Sequence, residues 1–248
     1  MKRRIAYLLL SITLLASWQY FGSTSDSVRM LVSSPELMYE YFVGNTDAIL
    51  LATWTTFLEA VLGLLIACTV SFGIMIVCFY FPGFMEFVLP IMVTSQVIPL
   101  IVLAPFFIIL LGIGILSKVV MASVLCFFPI FVNFAQGYKS IDPNVREMMH
   151  IHDASTWYRI KNVYFPLSMP SIMAGLKVSA TLSVIGAIVA EFAGAEVGIG
   201  KNLFLSAIRL EPDLMMVSLV FSALLGGFMY GSIHLIERYL GSWYLHQS

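Results

Sequence analysis

A helix that crosses a bilayer needs about 20 mostly apolar residues. This chain offers six such stretches, at roughly 5–21, 48–80, 86–111, 117–136, 171–194 and 213–236. Only 11% of its 248 residues are charged, against about 25% in a soluble domain. Transmembrane strands alternate in polarity over about ten residues, and these continuous runs do not. The pattern predicts an all-α membrane protein with about six transmembrane helices, read as a single domain over 1–248. The run at 48–80 exceeds one crossing, so part of it is expected to tilt or to lie at the interface.

Lysine and arginine set the orientation, because they accumulate on the cytoplasmic side. With the N-terminus inside, the inner flanks hold Lys2, Arg3, Arg4, Lys139, Arg146, Arg159, Lys161, Lys177 and Arg238. The outer flanks hold only Arg29, Lys118, Lys201 and Arg209. This bias predicts a multi-pass protein of the plasma (inner) membrane with both termini and the connector 137–170 in the cytoplasm. The start, with Lys2, Arg3 and Arg4 ahead of a short apolar body, also resembles a signal peptide. The apolar run continues through Trp18, Tyr20 and Phe21, which favours a retained first span. A net charge of -1 points away from nucleic acid as a partner and leaves lipid as the surrounding medium. Cys68, Cys78 and Cys126 lie inside apolar runs and read as small hydrophobes.

The connector from Gln136 to Ser171 is too long and too well patterned for a passive loop. Asp142-Pro143 is a helix start, with a capping carboxylate followed by proline at the first helical position. A short helix to about His152 would carry Val145, Met148, Met149 and His152 on one apolar-leaning face. Asp153-Ala154 breaks that pattern, and Ser155 can cap a second short helix with Trp157, Ile160 and Val163, ended by Pro166. The pair would form a compact knob facing the cytosol, or an interfacial helix lying on lipid headgroups.

The spacing within this connector resembles a known signature. Glu147-Met148-Met149, three residues, Asp153-Ala154-Ser155 and then Val163-Tyr164-Phe165-Pro166 are similar to the EAA motif of binding-protein-dependent ABC import permeases. That motif runs Glu-Ala-Ala, three residues, Gly, nine residues, Ile-x-Leu-Pro. Met148, Met149 and Asp153 depart from it. Asp is among the few residues besides glycine that tolerate positive φ, so the turn is expected to survive. Pro99 to Pro105, Gly112-Ile-Gly114, Ser117-Lys118, Phe127-Phe128-Pro129 through Asn133 and Gly137, and Ala190-Glu191 followed by Gly198-Ile-Gly200 extend the likeness. They are similar to the nitrate/sulfonate/taurine-type branch.

The resemblance implies a type I importer permease that forms the path for a small solute. It implies a cytoplasmic ABC ATPase dimer, a second permease copy (taken as a homodimer) and an extracytoplasmic solute-binding protein as partners. The segment 137–170, with Glu147, Asp153, Ala154, Ser155, Val163 and Pro166, would then be the coupling segment that sits on the ATPase. The chain carries no Gly-x-x-x-x-Gly-Lys-Ser/Thr loop. It is accordingly read as a non-enzymatic subunit with no cofactor of its own, and ATP is expected on the partner ATPase.

Ionisable groups inside spans are functional candidates because burying them in lipid is costly. Glu59 and Glu191 qualify. Glu191 ends a row of small residues four apart, Ser171, Gly175, Ser179, Ser183 and Ala187, which suits either close helix packing or a polar path. It is expected to hydrogen-bond a neighbouring span in a structural or gating role. Glu59 stands where the family commonly has a basic residue, which suggests a neutral, zwitterionic or cationic cargo. It could equally pair with a basic residue such as Lys118 or Lys177, or snorkel toward the interface. Pro99 and Pro105 interrupt the third span and make it a candidate path element. Gly227 and Gly231 in the last span have the spacing of a close-packing motif.

His150, His152 and Asp153 do not share a helix face and have no completing ligands, so no metal is expected. A membrane-embedded enzyme would need a convergent set of reacting groups, and the spans offer Glu59, Glu191, scattered hydroxyls and His234. A stand-alone ion-coupled carrier would need broken helices in repeated halves, and no repeat is visible.

Overall fold

The computed structural model describes residues 33–95, 97 and 99–244, together with Thr13 and 16–20. The described residues form helices and turns without a strand. Of the first expected span, 5–21, Thr13 and 16–20 are described and helical, and the remainder lies outside the described residues. The Trp18 indole N–H donates to Ser33 O at 3.0 Å just ahead of the first complete helix.

That helix, α1 (Pro35–Gly44), begins as its sequence dictates. Ser34 accepts from the Leu37 N–H, Pro35 occupies the first turn, and Glu36 complements the positive helix end. Helix α2 (Thr46–Tyr80) has 35 residues, and at 1.5 Å per residue is about 52 Å long, well beyond a ~30 Å hydrocarbon core. Phe81 ends it, and Pro82 opens α3 (Pro82–Ser95).

The expected single span at 86–111 is two shorter apolar helices, α3 and α4 (Leu100–Leu111). Val97 and Pro99 between them are not helical. Pro99 has no N–H to give and its own backbone is extended, so α4 begins after it. Helix α5 (Ile115–Lys139) follows a turn through Gly112 and Gly114.

The connector then forms α6 (Pro143–Ile151) and α7 (Thr156–Arg159). After α7 comes a wide π turn at Ile160–Tyr164, which leads into α8 (Phe165–Ala193). Helix α9 (Ile199–Arg209) and the long α10 (Pro212–Tyr244) complete the chain. Among the described residues, Thr46–Tyr80, Ile115–Lys139, Thr156–Ala193 and Pro212–Leu240 are long and apolar enough to cross a membrane. They match the expected spans at 48–80, 117–136, 171–194 and 213–236. The fold is that of an all-α, multi-pass membrane protein.

Helix α5 lies at the centre, packed along α8 and α2, and α10 closes the far side of α8. Small residues allow the close approach, as lipid gives helices no hydrophobic reason to associate. A Cβ at Gly63 of α2 would come within 2.5 Å of the Ala122 Cβ of α5. One at Gly186 of α8 would lie 2.7 Å from the Ala122 Cα, and one at Gly175 would lie 2.7 Å from the Asn133 Cβ. Ser179 donates to Cys126 O at 2.9 Å, and the Cys126 thiol returns a bond to Ser179 O. The row of small residues in α8 is therefore a helix-packing face. Gly227 and Gly231 contact nothing at their would-be Cβ positions, so that spacing brings no helix close within the described residues.

Candidate functional site

Two polar constructions stand at opposite ends of α5: a carboxylate node near its start and the folded connector beyond its end.

The node is built on Glu191, in the last turn of α8. Carbonyls at a helix C-terminus repel a carboxylate, so this one needs donors from elsewhere. It finds them in the Thr56 hydroxyl of α2 at 2.6 Å and the Gly200 N–H at 2.7 Å. The Ile199 N–H donates to the Thr56 oxygen at 3.0 Å. Gly200 and Ile199 are the first residues of α9, where free amides and the helix dipole favour an anion. The two glycines of Gly198-Ile-Gly200 leave room for this approach. Gly198 has φ +147°, and a Cβ there would overlap the Glu191 carboxyl. A Cβ at Gly200 would strike Ile188 O and the Glu191 Cβ.

Glu59 lies one turn beyond Thr56 on the same face of α2 and is 2% exposed. Glu191 and Lys118 are its charged neighbours. Glu59 Oε2 meets no N–H or hydroxyl donor among the described residues. Lys118 is buried nearby, with its ammonium donating to the carbonyls of Ile113 and Gly114. It forms no ion pair with Glu59 among the described residues. The alternative partner is excluded as well, because Lys177 pairs with Glu237 of α10 at 2.8 Å.

Glu59 and Lys118 open onto a cavity of about 380 Å³, with Thr55, Ile115, Glu196 and Val197 among its walls. Ser183 is buried on α8 and bonds to Ala180 O of its own helix at 2.8 Å, away from the cavity lining. Pro99 caps α4 and Pro105 lies within it, both exposed, and neither lines the cavity. The structure thus brings Glu59 and Glu191 together and leaves Ser183, Pro99 and Pro105 apart from them. Sequence reasoning missed Thr56 and Glu196. The three-residue spacing of Thr56 and Glu59 was the available signal.

At the other end, the connector folds back on itself. The Asn144 N–H bonds to Asp142 Oδ1 at 2.8 Å, and Pro143 starts α6 as expected. Asp153 has φ +46°, and the Ala154 N–H reaches back to Met149 O at 3.2 Å. This six-to-one bond around a left-handed residue is the Schellman ending, which ordinarily uses glycine. Ser155 caps the next turn through the Tyr158 N–H at 3.3 Å.

The second helix does not stop at Pro166. The Phe165 N–H bonds five residues back to Ile160 O, and the rod runs on into α8. Proline is tolerated in a first turn, and the π turn changes the bonding register where Pro166 has no N–H to offer. Val163 is half-buried against the aromatic cluster under this segment.

Two arginines stiffen the knob. Arg146 donates to the carbonyls of Tyr138 at 2.7 Å, Lys139 at 3.1 Å and Ile141 at 3.2 Å, closing the end of α5. Its guanidinium lies 4.6 Å from the centre of the Tyr138 ring. Arg159 donates to Ala154 O at 2.6 Å. Beneath them Phe79, Phe134, Tyr138 and Tyr164 pack edge-on or tilted at 5.0–5.9 Å. The expected apolar face of α6 is divided. Val145 packs inward, whereas Met148 and His152 are exposed beside Glu147 and Ile151. Trp157 and Tyr158 are also exposed, so the knob presents an apolar outer face.

A multi-pass helical protein with buried carboxylates in its spans and a rigid polar knob between two of them has the makings of a transport subunit. Residues 79–241 match the family described as binding-protein-dependent transport system inner membrane component, and the chain belongs to that family. It is 32% identical over 154 residues to the riboflavin transport system permease protein of Chloroflexus aurantiacus, covering 62% of this chain and 58% of that one. It is 33% identical over 156 residues to the formylaminopyrimidine transport permease protein of Halalkalibacterium halodurans, covering 63% and 62%. The matched stretch is thus under two thirds of each of these relatives. A Haemophilus influenzae protein named "Probable ABC transporter permease protein" is 26% identical over 241 residues, covering 97% of this chain and 98% of that one.

Proposed function

We propose that this permease passes a small solute, delivered by an extracytoplasmic binding protein, through a path it forms with a second, identical copy. A cytoplasmic ATPase dimer binds the ATP and docks on the connector 137–170, through Glu147, Asp153, Ala154, Ser155, Val163 and Pro166 and the apolar residues beside them. In this reading both termini are cytoplasmic, which the distribution of Lys and Arg supports.

One observation carries the coupling: the knob and the carboxylate node are the two ends of one helical rod. Thr156–Ala193 is a continuous run of 38 residues, about 57 Å at 1.5 Å per residue. A displacement of the knob on ATP-driven closure therefore reaches Glu191 without an intervening hinge loop. Such coupling works only if the ATPase contacts the knob differently in its two states. The exposed side chains of Met148, Ile151 and Trp157 supply a surface for those contacts.

The cargo is neutral or cationic. The walls around Glu59 hold two carboxyl groups and one ammonium that two carbonyls already engage. Relatives named for riboflavin and formylaminopyrimidine stand beside others named for aliphatic sulfonates, so the walls of the cavity, and not those names, carry this reading.

Co-purification tests the docking. The permease is expected to retain its cognate ATPase in stoichiometric amount, and Ile151→Ala with Trp157→Ala should reduce that recovery at least about tenfold without lowering the permease's thermal stability. Full recovery of ATPase by the doubly substituted protein would overturn the assignment.

A further inference from the structure

We infer that the cavity beside Glu59 is a solute-binding site that takes N–H donor groups, either neutral, as on an aminopyrimidine, or cationic, as on a guanidine. The inference rests on the permease reading and specifies the solute chemistry of its path.

Glu59 is 2% exposed and lines the cavity, yet its Oε2 meets no N–H or hydroxyl of the described residues. Leaving a carboxyl without a donor in a buried position is costly. The neighbouring Glu191 is another acid, and its own oxygens take the Thr56 hydroxyl and the Gly200 N–H. Thr56, one turn away, does not make up the deficit, because its hydroxyl is held between Ala52 O and Glu191. The Thr55 hydroxyl, on the cavity wall, bonds to Leu51 O at 2.9 Å. An N–H on a solute supplies the donor that the protein withholds.

The remaining walls narrow the class. Lys118 directs its ammonium to the Ile113 and Gly114 carbonyls, and Glu196 adds a second carboxyl at the rim. A sulfonate or carboxylate solute would meet two acidic groups and an ammonium already engaged. A quaternary ammonium would be attracted by charge but has no N–H for Glu59. The volume of about 380 Å³ lies at the small end of ligand pockets, and Ile115 and Val197 give apolar walls to a flat ring.

The site stands at the opposite end of α5 from the knob, next to the Glu191–Gly200 node. Occupation of Glu59 by a solute donor changes the charge that faces Glu191. Solute binding and the node that terminates the α8 rod are therefore chemically linked.

The test uses the purified full-length permease in lipid nanodiscs, with ligand binding followed by saturation-transfer NMR. Formylaminopyrimidine and methylguanidine are the neutral and cationic N–H probes; choline and ethanesulfonate are a cation and an anion without N–H. At least one N–H probe is expected to saturate below about 10 mM, and choline and ethanesulfonate are not. Glu59→Gln should weaken that binding about tenfold, through loss of the charge-assisted bond. Val197→Trp, which fills the cavity from a partly exposed position, should abolish it. Both variants should still recover the ATPase, so a failure here is distinguishable from a failure of the docking assignment. Equal binding of choline or ethanesulfonate, no saturation by either N–H probe, or unchanged binding in Val197→Trp would overturn the proposal.

Discussion

The Thr56 hydroxyl meets a Glu191 carboxylate oxygen at 2.6 Å, joining α2 to the end of α8 across 135 positions of sequence. The same Thr56 oxygen accepts the Ile199 N–H, and Gly200 donates to the other oxygen of Glu191. The consecutive helices α8 and α9 are therefore tied to the distant α2 by one side chain and the acid it serves.

Replacing Thr56 by Val keeps the shape and removes both roles of the hydroxyl. The Ile199 amide loses its acceptor and Glu191 a donor, at a cost of about 1–3 kcal/mol for a buried group left unpaired. Thr56→Ser retains the chemistry and should recover most of that loss. Thermal unfolding in detergent, compared across the two variants, checks this. Equal stability of Thr56→Val and the parent would show that the node is not a structural tie.

The glycines make a sharper contrast. Gly198→Ala places a methyl on the Glu191 carboxyl at a backbone conformation unsuited to L residues, and a strained residue alone costs on the order of 1–3 kcal/mol. Gly227→Ala meets nothing and sits inside α10, where exchanging glycine for alanine gains roughly 0.5–1 kcal/mol. Purified yield and melting temperature should therefore fall for the first and hold or rise for the second. A melting temperature unaffected by Gly198→Ala would contradict the close approach.

Much of this architecture is legible in the sequence, and the exceptions have physical reasons. Run length and hydropathy locate the long spans because lipid burial demands them. They do not reveal the break between α3 and α4, since both sides of it are apolar. Asp153 was legible through the spacing of the signature and the known tolerance of Asp for positive φ, and it lies at +46°. The continuation through Pro166 was not, because a π turn leaves no compositional mark. Glu191 and Gly198-Ile-Gly200 stood out as a pattern, but Thr56 did not. Thr53, Thr55 and Thr69 all bond to carbonyls of their own helix, as Thr56 also does. Only tertiary packing distinguishes the one that also reaches a carboxylate.

Asp153→Gly should leave the knob intact and relieve the cost of a left-handed L residue, about 1–2 kcal/mol at most. Asp153→Val, β-branched at the same angle, should lower the melting temperature and ATPase recovery together. Unaltered behaviour of the valine variant would mean that the Schellman ending does not fix the knob.

Arg146 tests whether the knob is held to the bundle by its guanidinium. The three carbonyls it caps at the end of α5 would lose a charged partner in Arg146→Met, and hydrogen bonds to charged groups contribute about 1.5–3 kcal/mol. All three bonds come from one guanidinium nitrogen, so what lysine lacks is the planar group that lies over Tyr138. Both variants should show faster amide exchange at Ile141 and Val145, measured by hydrogen–deuterium exchange, with the aromatic cluster below less affected. Protection in Arg146→Lys equal to the parent would mean that a charged donor alone, without the planar group over Tyr138, closes the end of α5.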